Sequence, residues 1–108
     1  MTAFDEFRDA VLEEAENLAR TVLKRAVKEA RADAEAFVDR SAEKIERWTR
    51  LLAAGDLTKD EFASLMRSQR DLAELSALTK AGISASRLKK FRETLTDVVI
   101  DKAFDVLL

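Results

Sequence analysis

Gly55 and Gly82 are the only glycines of this chain, and it contains no proline. With so few breakers the backbone is free to run as long helices, so three segments divided at residues 55 and 82 are expected. In the first, Phe4, Phe7, Val11, Ala15, Leu18, Val22, Ala26, Ala30, Ala34, Phe37, Ser41, Ile45, Trp48 and Leu52 recur about every 3.7 residues, close to the period of a straight helix and away from the 3.5 of a left-handed coiled coil. Leu12, Ala19, Leu23 and Val27 widen the stripe. The spacing predicts an all-α protein with a long amphipathic first helix over about residues 3–54. Two shorter helices follow, over about 59–81 and 85–107. They make a three-helix bundle, or a four-helix bundle if the first helix breaks. The break is expected near Ala32 to Asp39 or at Ser41, and the alanine-rich 26–40 stretch argues against it.

The corner after the first helix carries the clearest local signal. Gly55 can take the left-handed conformation that ends a helix, and Thr58 with Glu61 forms a capping box for the next. Leu57 and Phe62 stand at the positions of a hydrophobic staple. Gly82 ends the second helix in the same way, and Ser84 is the expected cap of the third, with Ile83 and Leu88 as its staple. Leu51, Leu52, Gly55, Leu57, Thr58, Glu61 and Phe62 together resemble the L-x-x-G-x-[LI]-[ST]-x-x-E-F corner of SHOCT-type short helical domains. That resemblance covers only residues 51–62 and implies an oligomerisation element.

Helix lengths turn this pattern into an expectation about partners. A first helix of about 52 residues is about 78 Å long, whereas the two that follow reach about 35 Å each. They cover only about residues 30–54 of it. Phe4, Phe7, Val11, Leu12, Leu18, Val22 and Leu23 then face water, leaving about 10–20 kcal/mol of burial unrealised. Such a surface marks an interaction site. The single domain, 1–108, is therefore expected to consist of a protruding oligomerisation helix at 1–30 and a helical head at 31–108.

Charge supports an orientation for that association. Residues 1–18 hold Asp5, Glu6, Asp9, Glu13, Glu14 and Glu16 against Arg8 alone, while residues 19–31 hold Arg20, Lys24, Arg25, Lys28 and Arg31 against Glu29 alone. Antiparallel or staggered pairing of two such helices sets Glu6 near Arg31, Asp9 near Lys28, Glu13 near Lys24 and Glu16 near Arg20. Parallel pairing opposes like charges. In the third helix Arg87, Lys89, Lys90 and Arg92 crowd the start and Asp97, Asp101 and Asp105 the end, against the helix dipole, so compensation from outside is expected. The apolar end, which includes Phe104 and Leu107, belongs either to the core or to an interface with a protein partner.

Composition narrows the chemistry. The chain has 108 residues, 47% hydrophobic and 37% charged, enough for one small core. Without cysteine, histidine or tyrosine it lacks disulfides, thiolate and imidazole chemistry and the common zinc ligands. Asp97, Asp101 and Asp105 lie on one helix, which cannot converge on a hard cation from several directions. Glu13, Glu14 and Glu16, or Asp33, Glu35 and Asp39, lack the histidines of a di-iron bundle. Serine and threonine have no imidazole base. No catalytic, cofactor or metal site is expected. A net charge of −2 argues against a dedicated nucleic-acid binder, and Trp48 is expected to anchor the core. No apolar run is long enough for a membrane span, and Asp5 and Glu6 do not suit a signal peptide. A cytoplasmic protein is expected.

The resulting expectation is a non-enzymatic scaffold or adaptor that forms a homo-oligomer. Its partner-binding residues are Phe4, Phe7, Val11, Leu18, Arg20, Val22, Lys24, Lys28, Arg31, Phe104 and Leu107. The rival from another class is an amphipathic coat protein whose Phe4 to Val27 stripe lies on a membrane or another hydrophobic surface. A third reading makes the Arg20, Lys24, Lys28, Arg31 stripe an accessory contact for nucleic acid or an anionic ligand.

Overall fold

The computed structural model describes residues 2–108 and contains five α-helices with no strand among those residues. They are α1 (Ala3–Leu18), α2 (Val27–Ala53), α3 (Lys59–Ser68), α4 (Ser76–Lys80) and α5 (Ala85–Lys102). A π-helical turn extends α1 through Ala19–Leu23, a short 3-10 turn occupies Arg70–Leu72, and a second π-helical turn, Ala103–Leu107, continues α5. The all-α bundle is the one its apolar spacing predicts, in the form with a broken first helix. The break lies at residues 24–26, while α2 runs straight through 32–41 with Ser41 buried.

At the break, Lys24 and Ala26 both take the left-handed conformation, with φ of 64° and 61°. Neither is a residue that favours it, and each costs about 1–2 kcal/mol there. The gain is larger. By turning back, the chain lays α1 antiparallel along α2, with Arg8 against Glu35 at 2.9 Å and Asp39 at 3.1 Å, and Glu16 against Arg31 at 2.7 Å. Phe7, Val11, Leu12, Ala15, Ala19 and Leu23 become fully buried, and the four large side chains among them alone recover about 6–12 kcal/mol of the burial that a protruding rod forfeits. Helix propensity favoured continuity by less than this, and burial prevails. The expected protrusion of residues 1–30 is therefore corrected: within the described residues, 3–23 form a core helix that the turn at 24–26 folds back onto α2. Ala26→Gly is expected to raise the urea midpoint by the equivalent of about 0.5–1 kcal/mol, because glycine takes φ near 60° freely. In an unbroken helix the same substitution costs about 1 kcal/mol.

Both glycine corners form as the sequence predicts. Gly55 has φ 81° and Gly82 φ 83°. Each sits in a Schellman arrangement: Asp56 N–H donates to the Leu51 carbonyl (2.9 Å) and Gly55 N–H to Leu52 (3.2 Å), while Ile83 N–H donates to Leu78 (3.2 Å) and Gly82 N–H to Thr79 (3.0 Å). The Thr58 hydroxyl accepts from Glu61 N–H at 3.1 Å, and Glu61 accepts from Thr58 N–H at 3.0 Å, which completes the capping box. A second box, Thr2 with Asp5, starts α1. The Thr2 backbone N–H, which donates to the Asp5 carboxylate at 3.1 Å, and after it the Thr2 side chain hold that carboxyl below the usual carboxylate range, and the hydrogen bond from Arg8 to Asp39 raises the Arg8 guanidinium above its ordinary value.

The second expected helix, 59–81, is interrupted at 69–75. A stripe through Phe62 and Met66 needs an apolar residue at 69 or 70, where the chain has Gln69 and Arg70. The backbone instead loosens and re-forms as α4, with Leu75 at φ 54°. This carries Ala73, Leu75 and Leu78 into the core. Three distant side chains take up the polar groups set free. Arg40 donates to the Leu72 carbonyl (3.1 Å), Arg92 donates to the Ala73 carbonyl (2.8 Å), and Asp33 accepts from the amides of Ala77 (3.0 Å) and Leu78 (2.8 Å). Asp33 thus caps, from α2, a helix that has no capping side chain of its own.

Candidate functional site

α1 lies antiparallel to α2 and touches both α5 and its terminal turn, so helix beginnings and ends alternate at each end of a body 43 × 28 × 21 Å across. Neighbouring macrodipoles of opposite sense cancel, which is the compensation that the charge order of α5 requires. The polarity of the molecule is left to its side chains.

At one end the α1–α2 corner meets the α4–α5 corner. The Arg25 guanidinium lies against Gly82, 3.6 Å from where a β-carbon would stand. Lys24, Arg25 and Lys28 come from the first corner, Lys80 from the end of α4, and Arg87, Lys89 and Lys90 from the first turns of α5. All seven are exposed. Among the described residues none of these side chains has a carboxylate within 4.0 Å or a hydrogen bond. The arginines that do pair lie elsewhere: Arg8, Arg20, Arg31, Arg40 and Arg67. Seven like charges at one end, drawn from three elements, produce a field that no single pair neutralises.

The opposite end gathers the start of α1, the end of α2, the Gly55 corner, the start of α3 and the end of α5. Phe62 packs on Phe104 with ring centroids 5.4 Å apart, and the Lys59 ammonium sits 5.4 Å above the Phe104 ring. Asp5, Glu6, Glu46, Asp56, Asp60, Glu61, Asp101 and Asp105 outnumber Arg47, Arg50, Lys59 and Lys102 there, and none of those acids is in an ion pair among the described residues. Two shallow depressions mark this end. One, of about 480 Å³, is lined by Leu57, Asp60, Glu61, Ser64 and Leu65. The other, of about 360 Å³, is lined by Thr2, Phe4, Glu46, Thr49, Arg50 and Leu107. Leu51 and Leu108, the large apolar residues most exposed, at 37% and 51%, also lie in the segments that meet here.

The residues expected to bind a partner are divided by this arrangement. Phe7 and Val11 are fully buried, and Phe4, Leu18 and Val22 are half-buried against the same core. They are covered by α2 and α5 of their own chain, so the stripe is not an outward surface. Phe104 and Leu107 also pack on the core. Arg20 and Arg31 converge on Glu16, at 3.5 and 2.7 Å, inside the hairpin. Glu6 with Arg31, Asp9 with Lys28 and Glu13 with Lys24 are pairings expected between two copies; within the chain, the turn at 24–26 sets residue 16 opposite 31 and 8 opposite 39. Lys24 and Lys28 alone of that set remain outward and unpaired among the described residues. Trp48 is half-buried against the core, as expected of an anchor.

Sequence reasoning missed the alliance of Lys24, Arg25 and Lys28 with Lys80, Arg87, Lys89 and Lys90. No local signal joins two clusters more than 50 positions apart; only the hairpin at 24–26 brings them together. Among the described residues no group of three or more acidic side chains is placed to hold a metal ion, and no helix is long and apolar enough to cross a membrane. Comparison with protein families, with curated proteins and with solved structures finds no match, so the likeness of the Gly55 corner to SHOCT-type domains extends to no family assignment.

Proposed function

We propose that the protein is a non-enzymatic helical adaptor whose basic end docks onto an anionic face of a partner protein. The observation that supports this reading is the gathering of Lys24, Arg25, Lys28, Lys80, Arg87, Lys89 and Lys90 at two touching corners, without a carboxylate partner among the described residues. Charges left unpaired on a folded surface steer encounter with a complementary face and reject like-charged ones. The absence of histidine and cysteine from the sequence and the shallow acidic-apolar lining of the larger depression favour binding over catalysis. The self-association expected through residues 4–31 needs an uncovered apolar stripe, and so does the coat reading. Burial of Phe7, Val11 and Leu23 inside the bundle favours the basic end over both of these readings.

A nucleic-acid accessory role competes for the same cations. The basic end offers no exposed aromatic for stacking, since Phe91 is fully buried, and an acidic protein face is the better fit. The test is fluorescence anisotropy with a labelled poly-glutamate peptide and, separately, a short DNA duplex, at about 50 and 200 mM salt. The expected result is saturable peptide binding at low salt that weakens with added salt and falls at least about tenfold in the triple variant K24E/K28E/R87E. Equal binding by wild type and variant, or none by wild type, overturns the proposal. Tighter binding of the duplex than of the peptide transfers the surface to nucleic acid.

A further inference from the structure

We infer that the outer face of α3 is a docking groove for a cationic amphipathic helix. Asp60, Glu61, Ser64 and Leu65 share one face of α3, and Leu57, which precedes the Thr58 N-cap, closes the depression they line. The opposite side of α3 places Phe62 and Met66 in the core, which leaves Asp60, Glu61 and Ser64 exposed, while Leu57 lines the depression with one side and packs on the core with the other. Leu57 and Leu65 are half-buried at its two ends, with Ser64 exposed beside Leu65. They bracket the depression and offer two apolar contacts to the apolar stripe of a docked helix.

Charge identifies the occupant. Asp60 and Glu61 line the groove, and Asp56 flanks it from the corner. Glu61 uses one carboxylate oxygen on Thr58 N–H, and none of the three is in an ion pair among the described residues. Lys59, the nearest cation in sequence, is turned onto the Phe104 ring. Lysines or arginines flanking the apolar stripe of an incoming helix would meet these carboxylates, while an acidic helix would be repelled. The corner is also preformed. The Schellman bonds at Gly55 and the capping box at Thr58 hold the start of the groove in place, so little ordering is required on binding. This surface is independent of the basic end, and together they make the adaptor two-sided.

The experiment uses the whole chain and a fluorescein-labelled Leu/Lys peptide of about 18 residues with an i, i+3, i+4, i+7 apolar stripe. Saturable binding is expected. D60K should weaken it at least about tenfold by reversing a groove charge, and S64R to a similar degree by filling the floor, whereas K24E/K28E should leave it unchanged. Amide shifts confined to residues 57–65 of the wild type on titration provide a readout that needs no variant. The inference fails if the wild type does not bind, if D60K and S64R bind as the wild type does, if shifts appear only elsewhere, or if a Leu/Glu peptide of the same pattern binds equally. It also fails if the wild type sediments as a dimer that S64R abolishes, since a second copy is then the occupant. Loss of Leu/Lys binding in K24E/K28E as well as in D60K overturns the separation of the two ends.

Discussion

Phe7→Ala is expected to destabilise the protein by about 3–5 kcal/mol, among the largest losses that a single truncation produces. Phe7 is 0% exposed, stacks obliquely on Phe4 with centroids 5.4 Å apart, and belongs to the same core as Phe37 and Leu95. Removing the ring deletes its transfer free energy and leaves a cavity under α1 that packed neighbours fill only in part. Urea unfolding monitored by circular dichroism should show the midpoint falling with little change in slope. The result discriminates between two architectures. On a protruding rod the same change alters an exposed position and moves monomer stability by no more than about 0.5 kcal/mol. A loss of that small size would mean that α1 does not fold back.

Asp33→Ala should cost about 2–4 kcal/mol. The Asp33 carboxylate is 7% exposed and receives two amide hydrogens, from Ala77 and Leu78, across 44 and 45 positions of sequence. Bonds to a charged acceptor contribute more than neutral ones, and truncation leaves two amides at a poorly solvated helix start with no acceptor. Asp33→Asn keeps an acceptor oxygen and should lose about half as much. Hydrogen exchange locates the effect: the amides of Ala77 and Leu78 should lose protection first, with α1 and α2 following only as the whole molecule unfolds. Equal exchange in wild type and Asp33→Ala would show that the cap contributes nothing to α4.

These two residues show how far local pattern reaches. Phe7 was legible as apolar and in phase with Phe4 and Val11, yet its neighbours were not, because an apolar stripe looks the same whether a second chain or a returning segment covers it. Asp33 was read among the acids Asp33, Glu35 and Asp39 as a discounted metal ligand, and its true task, capping a helix more than 40 residues away, has no local signature. The candidate site divides similarly. Lys24 and Lys28 were singled out from their own helix, but Lys80 and Arg87 joined them only when two corners met at Arg25 and Gly82. The acidic groove has no such precursor: the sequence displays Leu57 only as the staple partner of Phe62, and the depression that opens beside it is a fact of packing.

The all-α class, the corners at Gly55 and Gly82, and the caps at Thr58 and Ser84 follow from short-range pattern. All are local: a left-handed glycine or a side chain reaching three residues forward is decided within one turn of backbone. The turn at Lys24 and Ala26, the loosened stretch between α3 and α4, and the separation of charge into two ends come from packing of the whole chain. At both backbone breaks helix propensity pointed to continued helix, at a few tenths to about 1 kcal/mol per residue. Long-range burial of Phe7, Val11, Leu23 and Leu75, at about 1.5–3 kcal/mol for each side chain, outweighed it.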